Sequence, residues 1–305
     1  MQPLQRQLPK NYSSPIWRAI MEFEMLQPND RVMVGLSGGK DSSFLLYALW
    51  VIQQHSLIPF ELAAVTIDPG FSEASPRPAL QELCDAMAIP FFFEALPQMK
   101  DVIFTGDPRQ SPCARCAFFR RGAINRIAAA NGYHKLALGH HHDDAVETFL
   151  MSILYSGQIT TFTPVTPQER AGLTIIRPLV YLREKEIRAA KRFFPFEPIS
   201  SCCPRDGNST RAAVKDLIRD LSQENNSVYE NLSAAMRSAP ERAALWPRPI
   251  NRMQMKERYL QATAWHRNQV KKTNAEKNVS KAKSADQAHE KKIIVAELQI
   301  EQDDE

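Results

Sequence analysis

A chain of 305 residues, 44% of them hydrophobic, can build one large core or two small ones, which excludes global disorder. Its 38 lysines and arginines against 34 aspartates and glutamates leave a formal charge of +4, a mild excess that admits a nucleic-acid partner without demanding one. No apolar stretch reaches the length of a membrane span, and the opening "MQPLQRQLPKNYSS" lacks a signal peptide's apolar segment, so the expected compartment is the cytoplasm, with no membrane partner.

Taken in chain order, residues 1–14 read as a polar arm, and 14–26 as a helix with Ser14 as N-cap and Pro15 at its first position. Residues 31–37 read as a buried strand, 41–54 as a helix with Phe44, Leu45, Ala48 and Leu49 on one side, and 62–70 as a second strand stopped by Pro69 and Gly70. A helix over 77–88, a strand over 90–95, a helix over 117–131 and a strand over 135–141 follow. A helix over 143–157 closed by Gly157, a strand over 173–179 and a helix over 184–194 complete the alternation. Strands alternating with helices imply right-handed crossovers and an α/β fold with a doubly wound parallel sheet. Residues 209–222 and 226–244 read as a helical C-terminal extension. Past about 250 the chain turns polar and charge-mixed, a frayed or disordered tail holding an apolar island, "IIVAEL". Three parts are expected: an arm and helix over 1–29, a nucleotide-binding domain over 30–245, and the tail over 246–305.

At the carboxyl end of the first strand stands "LSGGKDS", opening a helix. Ligands of parallel sheets bind there. Gly38 and Gly39 let the backbone approach an anion, the first-turn amides face it, Ser37 and Ser42 add hydroxyls, and Lys40 adds a charge. The pattern is a phosphate cradle. It lacks the Walker spacing of four residues between its first glycine and the Gly-Lys pair. The bland alternative is a glycine-rich turn.

"LALGHHHDDAVETFLM" repeats the geometry, with Gly139 and His140 at a strand end and Asp143 and Asp144 at a helix start. Each aspartate alone reads equally well as a cap; Asp144 and Glu147 have capping-box spacing. Beside a phosphate cradle the pair would hold Mg²⁺. His140, His141 and His142 cannot all point one way, and they make no zinc site by themselves.

The five cysteines are Cys84, Cys113, Cys116, Cys202 and Cys203, and in a reducing compartment they read as metal-binding or catalytic. Cys84, in "LQELCDAMAI", reads as a buried helix residue. Cys113 and Cys116 form a CxxC, and "SSCCPRDG" supplies a third thiolate. Spacing alone ranks zinc and an iron–sulfur centre equally; three thiolates suffice for a 4Fe–4S cluster with one iron open.

Together "RVMVGLSGGKDS", "SPCARC", "GHHHDDAVETFLM", "IRPLVYLREKEI" and "CCPRDGNSTRAAVKDL" stand in the order of the tRNA 2-thiocytidine synthetase family, which the chain resembles over residues 10–235. That family belongs to the ATP pyrophosphatase (PP-loop) superfamily, with an adenine nucleotide alpha hydrolase-like fold. The resemblance implies ATP bound by Ser37, Gly38, Gly39, Lys40, Asp41 and Ser42, with Gly139 and His140 alongside. It implies Mg²⁺ near Asp143 and Asp144, and a 4Fe–4S cluster on Cys113, Cys116 and Cys203. It further implies adenylation of a cytidine carbonyl in tRNA, assisted by Lys40 and Asp41. Sulfur then enters at the open iron, supplied by a cysteine desulfurase or another donor, in an enzyme that forms a homodimer. Ser200 stands where the family often has an earlier cysteine, Cys202 is an added neighbour, and "SGQITTFTPVTPQERAGLTI" differs from the family's Pro-, Lys- and acid-rich segment. Arg120, Arg121, Arg183, Lys185, Arg188, Lys191 and Arg192 are candidates for tracking RNA phosphates. Competing readings are a sulfurtransferase acting on a small molecule, a lysidine-type tRNA ligase and a non-catalytic, metal-stabilised nucleotide sensor.

Overall fold

Strand β1, Asp30–Gly35, places Val32, Met33 and Val34 fully out of solvent, as a strand covered on both faces must be. It pairs in parallel with β2, Phe60–Asp68, on one side and β4, Lys135–Ala137, on the other. Beyond β2 lies β3, Phe91–Ala95; beyond β4 lie β6, Leu173–Ile176, and the antiparallel β5, Val165–Gln168. The order is β3-β2-β1-β4-β6-β5. The chain winds outward from β1 to β3, then crosses to the other side of β1. The switch point therefore falls between the carboxyl ends of β1 and β4, where such sheets form their crevice.

These are features of a computed structural model that describes residues 4–56, 58–105, 111–194, 196–199, 203–204 and 209–237, with 253–254, 256–257, 260 and 271 beyond them. The chain divides into two compact units, 1–238 and 239–305. In the second unit, residues 253–254 and 256–257 are helical. The island "IIVAEL" lies outside the described residues, as do Cys202 and positions 238–244 of the last predicted helix. No helix among the described residues is long and apolar enough to cross a membrane.

Alternate side chains of the sheet feed two cores. Val32, Val34, Leu62 and Ala64 pack with α1, Lys10–Glu22; α2, Lys40–His55; α3, Arg77–Ala86; and α7, Glu184–Ala189. Met33, Ala63, Val65 and Ile67 pack with α4, Met99–Thr105, and α5, Pro112–Ala130. A smaller cluster joins Val146 of α6, His142–Ser156, to Val214 and Ile218 of α8, Thr210–Glu224, and Leu232 of α9, Val228–Arg237.

Several boundaries differ from the sequence reading. α1 starts at Lys10, with Pro9 as N-cap and Pro15 inside the helix, so Ser14 caps nothing. The buried stripe Tyr12, Ile16, Ala19 and Ile20 begins before the proline, and burying it outweighs the proline's cost. α5 starts at Pro112, five residues before the expected 117, because Ser111 caps it by accepting from the Ala114 amide. β4 ends at Ala137, short of 141. α4 and β5 were not foreseen; β5 contains Pro167, which an edge strand tolerates.

Candidate active site

The turn after β1 is braced from within. Ser42, 6% exposed, donates its hydroxyl to the Gly39 carbonyl at 3.1 Å, accepts the Ser37 amide at 3.1 Å, and lies 3.0 Å from the Ser37 hydroxyl. Gly38 has φ +81°, a left-handed conformation that glycine adopts without cost. A side chain there would also meet Ile199, whose amide donates to the Gly38 carbonyl at 2.9 Å. The turn after β4 touches the first one: a Cβ on Gly139 would fall 3.0 Å from the Ser42 nitrogen and 3.0 Å from the Asp41 carbonyl carbon. The two glycine-bearing corners thus meet at the switch point, as their matching sequence patterns imply.

Lys40 reaches Asp41 at 2.9 Å and Glu184 at 3.0 Å. Burial works against the lysine's charge, but both carboxylates outweigh it and hold its pKa above the ordinary value. Glu184 also pairs with Lys215 of α8 at 2.5 Å; burial opposes its charge, yet Lys215 and Lys40 bring its pKa down to about 2. Asp41 Oδ1 is buried with no hydrogen-bond partner among the described residues, and the His141 Nε2 lies 3.8 Å from it.

The acidic pair at the start of α6 divides in role. Asp144 completes a capping box with His141, accepting its amide at 2.9 Å, and pairs with Arg211 at 2.8 Å. Asp143 accepts from Arg183 at 3.1 Å and from the Glu184 amide at 2.8 Å. Asp144 therefore serves the cap as the third residue of a box with His141, not as the N-cap of the expected box with Glu147. The three histidines point three ways. His140 accepts through Nδ1 from buried Arg177 at 3.2 Å, and burial pushes its pKa down to about 4, so it is neutral with Nε2–H left to donate. His141 caps the helix. His142 lies 2.5 Å through Nδ1 from the Tyr229 hydroxyl.

Cys113 and Cys116 sit three residues apart in the first turn of α5, on one face. Between them Arg115 points into the core and donates to the Ile103 carbonyl. Burial pushes the Cys116 thiol up; Arg120 opposes this, while Cys203 and Cys113 add to it, so both of these lie within electrostatic reach of Cys116. Among the described residues no three His, Cys, Asp or Glu side chains close on a single ion. The Cys116 thiolate, disfavoured by burial and by its two cysteine neighbours, is a donor that cationic iron would relieve. Cys84 is fully buried in α3, its thiol pushed up to about 12.

A family model described as a PP-loop domain matches residues 5–195. The tRNA-cytidine(32) 2-sulfurtransferase of Legionella pneumophila (strain Philadelphia 1) is 39% identical over 229 residues, 72% of this chain and 78% of the relative. The chain belongs to the tRNA-cytidine(32) 2-sulfurtransferase family. The Geobacter metallireducens member is 33% identical over 235 residues, 75% of this chain and 90% of its own. Among solved structures, the U34-tRNA thiolase NcsA from Methanococcus maripaludis with its [4Fe-4S] cluster aligns with TM-score 0.63 at 21% identity, covering 79% of this chain and 82% of that one, a likeness of fold.

In this 2-sulfurtransferase-family chain, the sequence reading missed the groups that face the predicted residues from elsewhere. Glu184 on Lys40, Arg183 on Asp143, Arg211 on Asp144 and Arg177 on His140 all come from the last third of the fold. Arg183 was expected only as a phosphate-tracking residue. Of its companions in that expectation, Arg188 pairs with Glu184 at 2.8 Å, Lys191 with Glu197 at 2.9 Å, and Arg192 donates to the Ala189 carbonyl.

Proposed function

We propose that this chain is the ATP-dependent sulfurtransferase that converts cytidine 32 of tRNA to 2-thiocytidine. The reading is carried by one observation: two small-residue corners meet at the switch point, with Lys40 poised between Asp41 and Glu184. Amides of the first turn of α2 and the Lys40 ammonium face the phosphates. As the cytidine O2 attacks the α phosphorus, these fixed donors take up the charge that develops, where preorganised groups contribute most. Asp41 and Glu184 keep Lys40 protonated for that task. His140, neutral, donates through Nε2–H.

Mg²⁺ bound with ATP would neutralise the charge of the departing pyrophosphate, and one or two protein carboxylates would suffice to hold it. Asp41, whose Oδ1 has no partner among the described residues, suits that role better than Asp143, whose oxygens accept from Arg183 and the Glu184 amide, or Asp144, whose oxygens are spent on the cap and on Arg211. A 4Fe–4S cluster on Cys113, Cys116 and Cys203 supplies, when bound, an iron free to carry sulfur. The sulfur comes from a cysteine desulfurase or an equivalent donor, and the enzyme acts as a homodimer.

The test is mass spectrometry of tRNA nucleosides from cells lacking this chain. The expected outcome is loss of 2-thiocytidine, restored by the wild-type gene. Unchanged 2-thiocytidine would overturn the assignment.

A further inference from the structure

Beside the reaction-site carboxylates lie two cavities that share a wall, the Arg183 guanidinium laid 3.2 Å from the centre of the Tyr229 ring. The first, about 550 Å³, opens on Asp143, Glu147 and Glu184 and mixes acids with bases. The second, about 470 Å³, differs in kind. Arginines enter it from three elements, Arg18 from α1, Arg183 from the start of α7 and Arg237 from the end of α9, and no carboxylate lines it among the described residues.

Aromatic faces hold these cations in place. Arg18 lies 4.5 Å and Arg237 5.5 Å from the centre of the Tyr181 ring. Arg18 is tied to Glu22 at 3.0 Å and Arg183 to Asp143, whereas no carboxylate among the described residues lies within ion-pair distance of Arg237. Instead Arg237 faces His142 Nε2 at 3.4 Å, and burial together with that guanidinium holds the imidazole below its ordinary pKa, hence neutral. Glu22, which accepts from the Tyr181 hydroxyl at 2.7 Å, and Asp143 stand behind Arg18 and Arg183 and do not line the cavity, whose own walls of cations, a serine hydroxyl and ring faces suit a phosphate diester flanked by flat bases. The volume falls within the range of about 300–1,000 Å³ typical of small-ligand sites, enough for one nucleotide unit.

We propose that this second cavity holds a phosphodiester of the substrate RNA, next to the nucleotide that reacts. The inference rests on the tRNA reading above and adds where the strand runs: across the Arg183–Tyr229 wall, from the carboxylate-lined cavity into the arginine-lined one. A free nucleotide offers the same phosphate chemistry, so both ligands enter the test.

Arg18→Gln, Arg237→Gln and Arg237→Lys variants are compared with wild type for binding of an anticodon stem–loop RNA at several KCl concentrations, and for binding of ATP and AMP. Each Gln variant is expected to lose about ten-fold in RNA affinity, and its plot of log K against log[salt] to become shallower by about 0.7, the loss of one single-strand phosphate contact. Arg237→Lys keeps the wild-type slope, and ATP and AMP affinities stay unchanged, which also reports an intact fold. RNA affinity and slope indifferent to both Gln changes would overturn the proposal. So would AMP affinity falling while RNA affinity holds, which would make the cavity a free-nucleotide site. Failure of the thiolation reading shows separately: RNA binding that depends on Arg18 and Arg237, in cells whose 2-thiocytidine survives deletion of the chain, would sink that reading and leave this cavity an RNA site.

Discussion

Glu147 carries its carboxyl into α6 at 5% exposure, with Asp144 nearby and Arg211 at 3.5 Å. Burial, helped by the Asp144 charge, raises its pKa to about 7 against the pull of Arg211. The folded state therefore binds a proton that the unfolded chain gives up near pH 4.5. The corresponding stability is fully present below that pH and is lost as pH rises through 7, with a slope approaching about 1.4 kcal/mol per pH unit inside the window. Melting temperature in the wild type should fall by a few degrees between pH 5 and pH 7, and Glu147→Gln should flatten the curve; equal slopes would show that Glu147 is ionised throughout. None of this was visible in the sequence, where Glu147 reads as a capping-box partner of Asp144. The turn Ser37–Ser42 was legible because a strand-to-helix corner is made by consecutive residues and their own amides. The environment of Glu147 was not, because Arg211 arrives from a helix 64 positions later in the chain, and no local pattern announces it.

At the scale of elements, Glu184 joins three of them. Its carboxylate holds Lys40 of α2 and Lys215 of α8, and its amide, at the first turn of α7, holds Asp143 of α6. Lys40, the lysine proposed to face ATP, is thus positioned by the start of another helix. Glu184→Gln keeps the shape and the amide contact but removes the charge that fixes Lys40. We expect an approximately ten-fold rise in KM for ATP, equivalent to about 1.4 kcal/mol, with kcat for pyrophosphate release changed less; a fall in kcat alone, at unchanged KM, would argue against positioning of Lys40. Helix existence was well marked by apolar spacing, and starts were misread where two signals competed. Pro15 looked like a beginning until Tyr12 claimed the core, and the true start signal, Ser111-Pro112, was hidden beneath the CxxC it presents. Strand β5 escaped because its Pro167 and polar neighbours spoil the alternation, which costs little on an edge.

For the whole molecule, the strand order decides what meets what. It brings the corner after β1 against the corner after β4, while α5 presents Cys113 and Cys116 from the opposite face of the sheet to α2. Alternating strands and helices made that architecture readable, and the five motifs in order made the family readable. The arrangement of the thiols was not, since Cys203 follows the sheet and its place depends on the complete fold. Cys113 is exposed, so Cys113→Ala should leave the melting temperature of iron-free protein unchanged while lowering iron and sulfide in anaerobically purified protein toward background; full iron content in the variant would remove Cys113 from the ligand set. The Ile199 amide on the Gly38 carbonyl has a mechanical corollary. Four residues of chain reach at most about 14 Å, so whatever path they take, Cys203 is leashed within that radius of an anchor on the phosphate corner. If Cys203 is the third ligand as proposed, lengthening the leash by a few residues would slacken that sulfur and leave the corner after β1 untouched, uncoupling the delivery of sulfur from the activation that makes room for it.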